Sequence, residues 1–128
     1  MKVDVNVNGT KRYYNKEGEY HREDGPAIER PNGDKAWYKN GKRHRIDGPA
    51  IEHADGHKQW IIDGKYHRED GPAIEFTNGH KEWWFNGKLH RIDGHAVEHA
   101  SGIKEWYFND KLHREDGPAI EFPNGTKY

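Results

Sequence analysis

Apolar residues come in short alternating bursts along this chain, set off by turn-forming residues. The segments KAWYKN, KQWIID, KEWWFN and KEWYFN, at 35–40, 58–63, 81–86 and 104–109, are rich in the aromatic and β-branched types that strands favour, and segments such as AIEF at 73–76 supply a partner strand. Side chains on a strand alternate between faces, so Trp37, Trp60, Trp83 and Trp106 share a face with Ile62, Phe85 and Phe108, two residues on. Between the strands fall Asn32-Gly33, Asp55-Gly56, Asn78-Gly79, Ser101-Gly102 and Asn124-Gly125, with Asn8-Gly9 ahead of them. Both central residues of a type I′ turn need positive φ, which makes Asn-Gly and Asp-Gly the strongest two-residue hairpin signals. A two-residue turn at Asn78-Gly79 sets Ile74 opposite Trp83, and the same count sets Ile51 opposite Trp60 and Ile28 opposite Trp37. The pattern therefore predicts a buried stripe of Trp and Ile.

Tyr38, Ile61, Trp84 and Tyr107 point the other way and form a second aromatic row, on a face that also carries Glu82 and Glu105. Two readings fit this row. Curling or loop packing buries it, as expected of monomers that rarely expose large apolar patches, or it is a surface for a partner.

The bursts recur because the chain is a repeat. His21, His44, His67, His90 and His113 stand 23 residues apart, each followed by Arg, in the runs HREDGPAIE, HRIDGPAIE, HREDGPAIE, HRIDGHAVE and HREDGPAIE. A second set of turns lies at Asn40-Gly41, Asp63-Gly64, Asn86-Gly87 and Asn109-Asp110. A third lies at the Asp-Gly of each run, usually followed by Pro, which suits a bend or bulge. Helices are excluded almost everywhere. The expected fold is all-β: an elongated array of antiparallel β-hairpin repeats in a single twisted sheet or solenoid, continuing from repeat to repeat. Residues 1–128 read as one repeat domain, with a capping strand and partial repeat at 1–20 and about five 23-residue repeats at 21–128, the last incomplete.

Val3, Val5 and Val7 alternate with polar residues in the capping strand, and the chain stops at Tyr128 before the next Trp position. An unfinished last unit leaves an open sheet edge, through which a homodimer is expected to form if nothing else closes it. A longer period of 46 residues overlies the first: Glu23, Glu69 and Glu115 alternate with Ile46 and Ile92, and Phe76 and Phe122 with His53 and His99. Duplication of a two-unit block would produce it. So would three strands per unit, with successive units running in opposite directions.

Composition changes the picture in one respect. Only 31% of residues are hydrophobic and 34% are charged, which would suit a disordered chain, yet 12% are aromatic and the net charge is −1. Few but large apolar groups suit a thin layer of aromatic packing. Basic and acidic residues interleave throughout, so general nucleic-acid binding and a polybasic membrane anchor are not indicated. No apolar run is long enough for a signal peptide or membrane span, and with no cysteine there is neither disulfide nor thiolate metal site. A soluble, cytoplasmic protein is the expectation.

The runs NGKRHRIDG (40–48), NGKLHRIDG (86–94) and NDKLHREDG (109–117), each preceded by an aromatic strand, resemble the MORN repeat family over residues 8–128. Two features depart from its pattern. Arg22, Arg45, Arg68, Arg91 and Arg114 stand where Gly usually follows the His, and the Gly two residues after the aromatic is missing beyond Trp37, Trp60, Trp83 and Trp106. A divergent MORN-like group, of the kind found in bacterial and viral proteins, is the closest description. The resemblance implies a non-enzymatic module for protein or phospholipid contact.

The HREDG run holds an imidazole, a guanidinium and carboxylates, which invites a catalytic or metal reading. Equivalent residues of adjacent hairpins are roughly 10 Å apart, whereas metal ligands must converge to about 2.0–2.2 Å, so His21, His44, His67, His90 and His113 do not share one ion. An active site is assembled once, around one pocket; this motif occurs five times, as architecture requires. No catalytic residue, cofactor or metal is therefore assigned. The expected roles are structural: Asp bonds the turn, His pairs with the Trp row, and Arg meets Glu or Asp of a neighbouring unit. His53 with His57, and His95 with His99, break the pattern, and His95 replaces the Pro of Pro26, Pro49, Pro72 and Pro118.

The functional expectation is a binding module for another protein, in the manner of a small bacterial or phage-type inhibitor. Its candidate surface is Tyr38, Ile61, Trp84 and Tyr107 with Arg45, Arg68 and Arg91. The alternative is a small-ligand or nucleotide-binding, sequestering protein, whose aromatic rings stack on a ligand held by Arg.

Overall fold

The computed structural model describes residues 2–125. It is all-β, built from antiparallel hairpins, and none of the described residues is helical. No helix is long and apolar enough to cross a membrane. The described residues fall in two compact units, divided between Lys65 and Tyr66. Tyr128, on which the unfinished last repeat turns, lies outside the described residues.

Each repeat begins with a two-residue strand that ends in Glu and returns on a second that starts with Lys. In the first unit the order is Lys2–Val5, Lys11–Tyr14, Ile28–Glu29, Lys35–Ala36, Ile51–Glu52 and Lys58–Gln59, all antiparallel neighbours. The second unit repeats it with Ile74–Glu75, Lys81–Glu82, Val97–Glu98, Lys104–Glu105 and Ile120–Glu121. Within each unit the sheet thus continues from repeat to repeat. Val3 and Val5 lie in the first strand, paired with Tyr13 and Lys11.

The register departs from the expected one by a single residue. Ile74 pairs with Glu82 rather than Trp83, Ile51 with Gln59 rather than Trp60, and Ile28 with Ala36 rather than Trp37. The cause is the turn. At Asn78-Gly79 the Gly79 N–H donates to Phe76 O (3.1 Å) and the Phe76 N–H to His80 O (2.9 Å), so three residues form the loop. Gly79 alone has positive φ (97°), which is a type I turn with a G1 bulge. Asn78 accepts the His80 N–H through its side chain (3.0 Å), a bond that holds it out of the left-handed region.

A one-residue slip changes which residues share a face. One face carries an alternating charge ladder, Lys11, Glu29, Lys35, Glu52 and Lys58 in the first unit and Glu75, Lys81, Glu98, Lys104 and Glu121 in the second. Opposite charges paired across strands favour this register. The other face carries Ile28 and Ile51, then Ile74, Val97 and Ile120. The aliphatic residues buried most completely are Ala27, Ala50, Ala73 and Ala96, each with no exposed surface, followed by Ile61, Val97 and Ile74. No Trp is buried, so the predicted Trp stripe is corrected: the core is small aliphatic residues, and the indoles lie half-buried over the charge ladder.

Segments such as KAWYKN are not single strands. Pairing switches at the Trp: Trp37 N–H donates to Ala50 O (2.7 Å), just ahead of the next repeat's first strand, while Trp37 O accepts the His44 N–H (3.0 Å). Beyond that point Tyr38–Lys39 pairs with Lys42–Arg43, and Trp84–Phe85 with Lys88–Leu89, in separate two-stranded hairpins. These hairpins turn at Asn40-Gly41 (φ 48° and 82°) and Asn86-Gly87 (φ 50° and 79°), the type I′ geometry that the same dipeptide does not adopt in the sheet. Three bonds dock each hairpin on the preceding repeat. Arg22 N–H reaches Tyr38 O (3.2 Å), Gly41 N–H reaches Tyr20 O (2.9 Å), and Asn40 N–H reaches His21 Nδ1 (3.0 Å).

Candidate functional site: the loop-tip grooves

The HRxDG run is an assembly device. Arg45 shows how it works. Its guanidinium lies over the Trp37 ring, 3.8 Å from the centroid, and donates to Asp47 (3.1 Å), Pro49 O (3.1 Å) and Glu52 (2.8 Å). On the far side sits Gly48, where a Cβ would come 2.9 Å from Arg45 Cζ. This glycine is needed for close approach, and the ring, the glycine and three acceptors leave the cation no freedom. Arg114 repeats the arrangement with Trp106, Asp116, Pro118 and Glu121, and Arg22 uses Tyr13 in place of Trp. The expectation that Arg reaches a neighbouring unit is thus replaced by contacts inside its own run. Asp takes the Arg Nε rather than the turn backbone.

The histidine pairs across strands with the Trp row through its backbone, as expected: the N–H of His44, His90 and His113 donates to the carbonyl of Trp37, Trp83 and Trp106 (2.9 to 3.1 Å), while the ring takes a further partner. Nδ1 of His21, His44, His67 and His90 accepts the backbone N–H of Asn40, Asp63, Asn86 and Asn109, at 3.0 to 3.1 Å. An imidazole that accepts through Nδ1 carries its proton on Nε2. In the second unit the rings alternate with phenylalanines: His67 to Phe85 and His90 to Phe108 are each 4.5 Å between centroids.

Of the second aromatic row, Ile61 is buried, at 3% exposure. Tyr38 is half-buried, its ring 5.2 Å from Tyr20 and its hydroxyl accepting from Arg43 (3.2 Å). Trp84 Nε1–H donates to Glu82 (2.8 Å), and the Tyr107 hydroxyl donates to Glu105 (2.9 Å). Burial, then the bond to Glu105 and the charges of Glu105 and Glu82, raise the Tyr107 pKa. The row is largely occupied with internal contacts. Arg45, Arg68 and Arg91 sit within the clips, with side chains 22–26% exposed.

What the fold leaves open is the space between successive HRxDG loops. Three grooves of about 580, 660 and 730 Å³ lie there. One in the first unit runs between the Arg22 and Arg45 loops. Two in the second unit run between the Arg68, Arg91 and Arg114 loops and share Ile92 on their common rim. Phe85 lines one of these and Phe108 the other. Tyr38 and Tyr107 line grooves too, which joins part of the predicted surface to this one. Sequence reasoning passed over Phe85 and Phe108 because it put them on the buried Trp stripe; they are 42% and 47% exposed. Ile46 and Ile92, 81% and 85% exposed, were signalled by the alternation with Glu but not read as a site.

His95 takes the place of the proline in the clip of Arg91. Its Nε2 meets Glu98 (2.7 Å) and its ring lies between Trp83 and Trp106, at 5.4 and 5.6 Å, while Arg91 bonds its carbonyl (3.0 Å). In the clips of Arg45 and Arg114 the matching Glu serves the arginine. Burial lowers the His95 pKa, Arg91 and Lys104 add to the shift, and the bond to Glu98 opposes it. Unfolding returns the ring to its ordinary value of about 6.5, so the unfolded chain takes up the proton first as pH falls. The contribution is full above about pH 6.5 and is lost as pH drops through the folded value. His95→Pro, which restores the residue of the other repeats, is expected to narrow the drop in urea midpoint between about pH 7.5 and about pH 5.5. An equal drop in both proteins would show that His95 does not contribute.

His53 and His57 stand with rings 6.4 Å apart across the Asp55-Gly56 turn. His80 and His99, 5.2 Å apart, bond Glu82 (2.7 Å) and Glu105 (2.6 Å) respectively. Among the described residues no group of three or more His, Cys, Asp or Glu is arranged to hold a metal ion. No protein-family model matches the chain, and no curated protein matches it in sequence.

Proposed function

We propose that the chain is a non-catalytic, MORN-like repeat module that binds another protein along its loop tips, acting as a small cytoplasmic inhibitor. The carrying observation is the apolar surface left open beside the grooves of the second unit: Phe85, Ile92 and Phe108, between 42% and 85% exposed. Isolated apolar residues on a surface need no explanation, but a group lining adjoining concavities with a polar rim has the anatomy of an interface. Carboxylates of Glu69, Asp70, Asp93, Glu115 and Asp116 make that rim, so a partner with basic residues around apolar ones is the complementary one.

The Arg, Asp and Glu of the motif hold one another in place, which favours architecture over chemistry for the HRxDG run. The same engagement weighs against a nucleotide-binding role, since the cations it would need are already neutralised. The test is retention of a partner by the immobilised full chain, compared with Ile92→Asp and Phe108→Ser variants. Loss of at least about tenfold in affinity for either variant is expected of residues at an interface centre. Retention that is indifferent to both would overturn the reading.

A further inference from the structure

We propose that the segment received by the grooves of the second unit is a proline-rich chain in the polyproline II conformation, with two apolar side chains three residues apart between basic residues. This rests on the reading of the grooves as a protein-binding surface and specifies what they hold.

Spacing selects the occupant. The two grooves are equivalent sites of consecutive repeats, and each repeat contributes two strands to the sheet, so they recur at roughly 9–10 Å. A bound strand returns a side chain to the same face about every 6.7 Å and would miss the second groove. Polyproline II has three residues per turn and rises about 3.1 Å per residue, so every third side chain returns after about 9.3 Å. An α-helix approaches the spacing only at seven residues, about 10.5 Å, and its diameter of about 10–12 Å would carry it over the tips. That leaves Phe85 and Phe108, at the groove walls, without contact.

Two further features agree. A polyproline II backbone makes no internal hydrogen bonds, so its carbonyls need donors. His90 lines the first groove beside Phe85. Its Nδ1 accepts from Asn109 N–H (3.1 Å), which puts the proton on Nε2, and that N–H has no acceptor among the described residues. The charges also match. Asp70, Asp93, Asp116, Glu69 and Glu115 have side chains 77–91% exposed, and Glu75 and Glu121 already serve Arg68 and Arg114 beneath them. Asp70, Asp93 and Asp116 share their charge with the clip arginines, so the carboxylates of Glu69 and Glu115, which bind no arginine, are the negative charge left over at the grooves.

The experiment is a titration of the full chain with three labelled peptides, followed by fluorescence anisotropy. Each has a Lys-Lys pair at both ends and two leucines in a proline background, with the leucines two, three or four residues apart. Saturable binding is expected for the three-residue spacing, at least about tenfold tighter than for the other two. Glu69→Lys with Glu115→Lys, at tips that take no part in the clips, should weaken it by a similar factor. Equal binding of all three peptides, or binding untouched by the charge reversal, would overturn the proposal. If no peptide binds while a captured partner still depends on Ile92 and Phe108, the polyproline reading falls and the protein-binding reading stands. If neither depends on these residues, both fall.

Discussion

Ala96→Leu is expected to destabilise the fold by about 3 kcal/mol, the upper part of the usual range for overpacking. Set against the roughly 5–15 kcal/mol that holds a typical domain together, this is the largest effect foreseen for a single substitution here. Ala96 has no exposed surface, and its neighbour Val97 is 6% exposed. The backbone has no room to retreat. Ala96 N–H donates to Glu105 O (2.8 Å) and Ala96 O accepts the Trp83 N–H (2.7 Å), which ties the residue to strands on both sides. Three added carbons must break one of these ties or push the half-buried indole outward. Ala96→Gly is the control, costing about 1–2 kcal/mol through backbone entropy and the loss of one buried methyl, with no overpacking. Urea titration of the three proteins reads the difference directly. A leucine variant within about 0.5 kcal/mol of the native chain would mean the site has space that the structure does not show.

Gly48→Ala is the second large effect, at about 2 kcal/mol, and its logic is one of coupling. The added methyl would meet Arg45 Cζ at 2.9 Å. An arginine tip ordinarily swings away at little cost. Here it is held against Trp37 at 3.8 Å and by Asp47, Pro49 and Glu52, so relief means losing the ring contact or the bonds. Arg45→Ala alone should cost a similar about 2 kcal/mol, since it leaves Glu52 without its charged donor. In the double variant the methyl has nothing to strike. The two costs should then fall short of adding by about 1 kcal/mol or more. Additive losses in the double-mutant cycle would show that glycine serves the loop backbone and not the guanidinium.

The repeat, the all-β class and the hairpins were legible in the sequence because each rests on a local signal: the spacing of His-Arg, the strand-forming aromatics, the Asn-Gly pairs. The register was not, and the reason lies in a single dipeptide. Asn78-Gly79 and Asn86-Gly87 read alike, yet only the second has positive φ at both positions. Asn86 N–H is taken by His67 Nδ1 of the preceding repeat (3.0 Å), whereas Asn78 turns its own side chain back to His80. A tertiary partner decides between two turns that propensity leaves equal. That single residue of slip carried the indoles off the Ile face, misplaced Phe85 and Phe108 as core, and hid the grooves they line. The role of Arg was obscured for a related reason. Its acceptors stand two, four and seven residues on, and only the bend at the Asp-Gly brings them to one point.

Within HRxDG, the position after Arg is the one the clip does not use. Glu23, Ile46, Glu69, Ile92 and Glu115 occupy it, and the two isoleucines are 81% and 85% exposed. The frame is thereby separated from the message: Arg, Asp and Gly close the loop and His holds the next hairpin, while the Glu at this position comes no closer than 3.7 Å to the His before it. Ligand preference in such a scaffold is editable one repeat at a time, and a library varied only at these five sites would sample new recognition on an unchanged chassis.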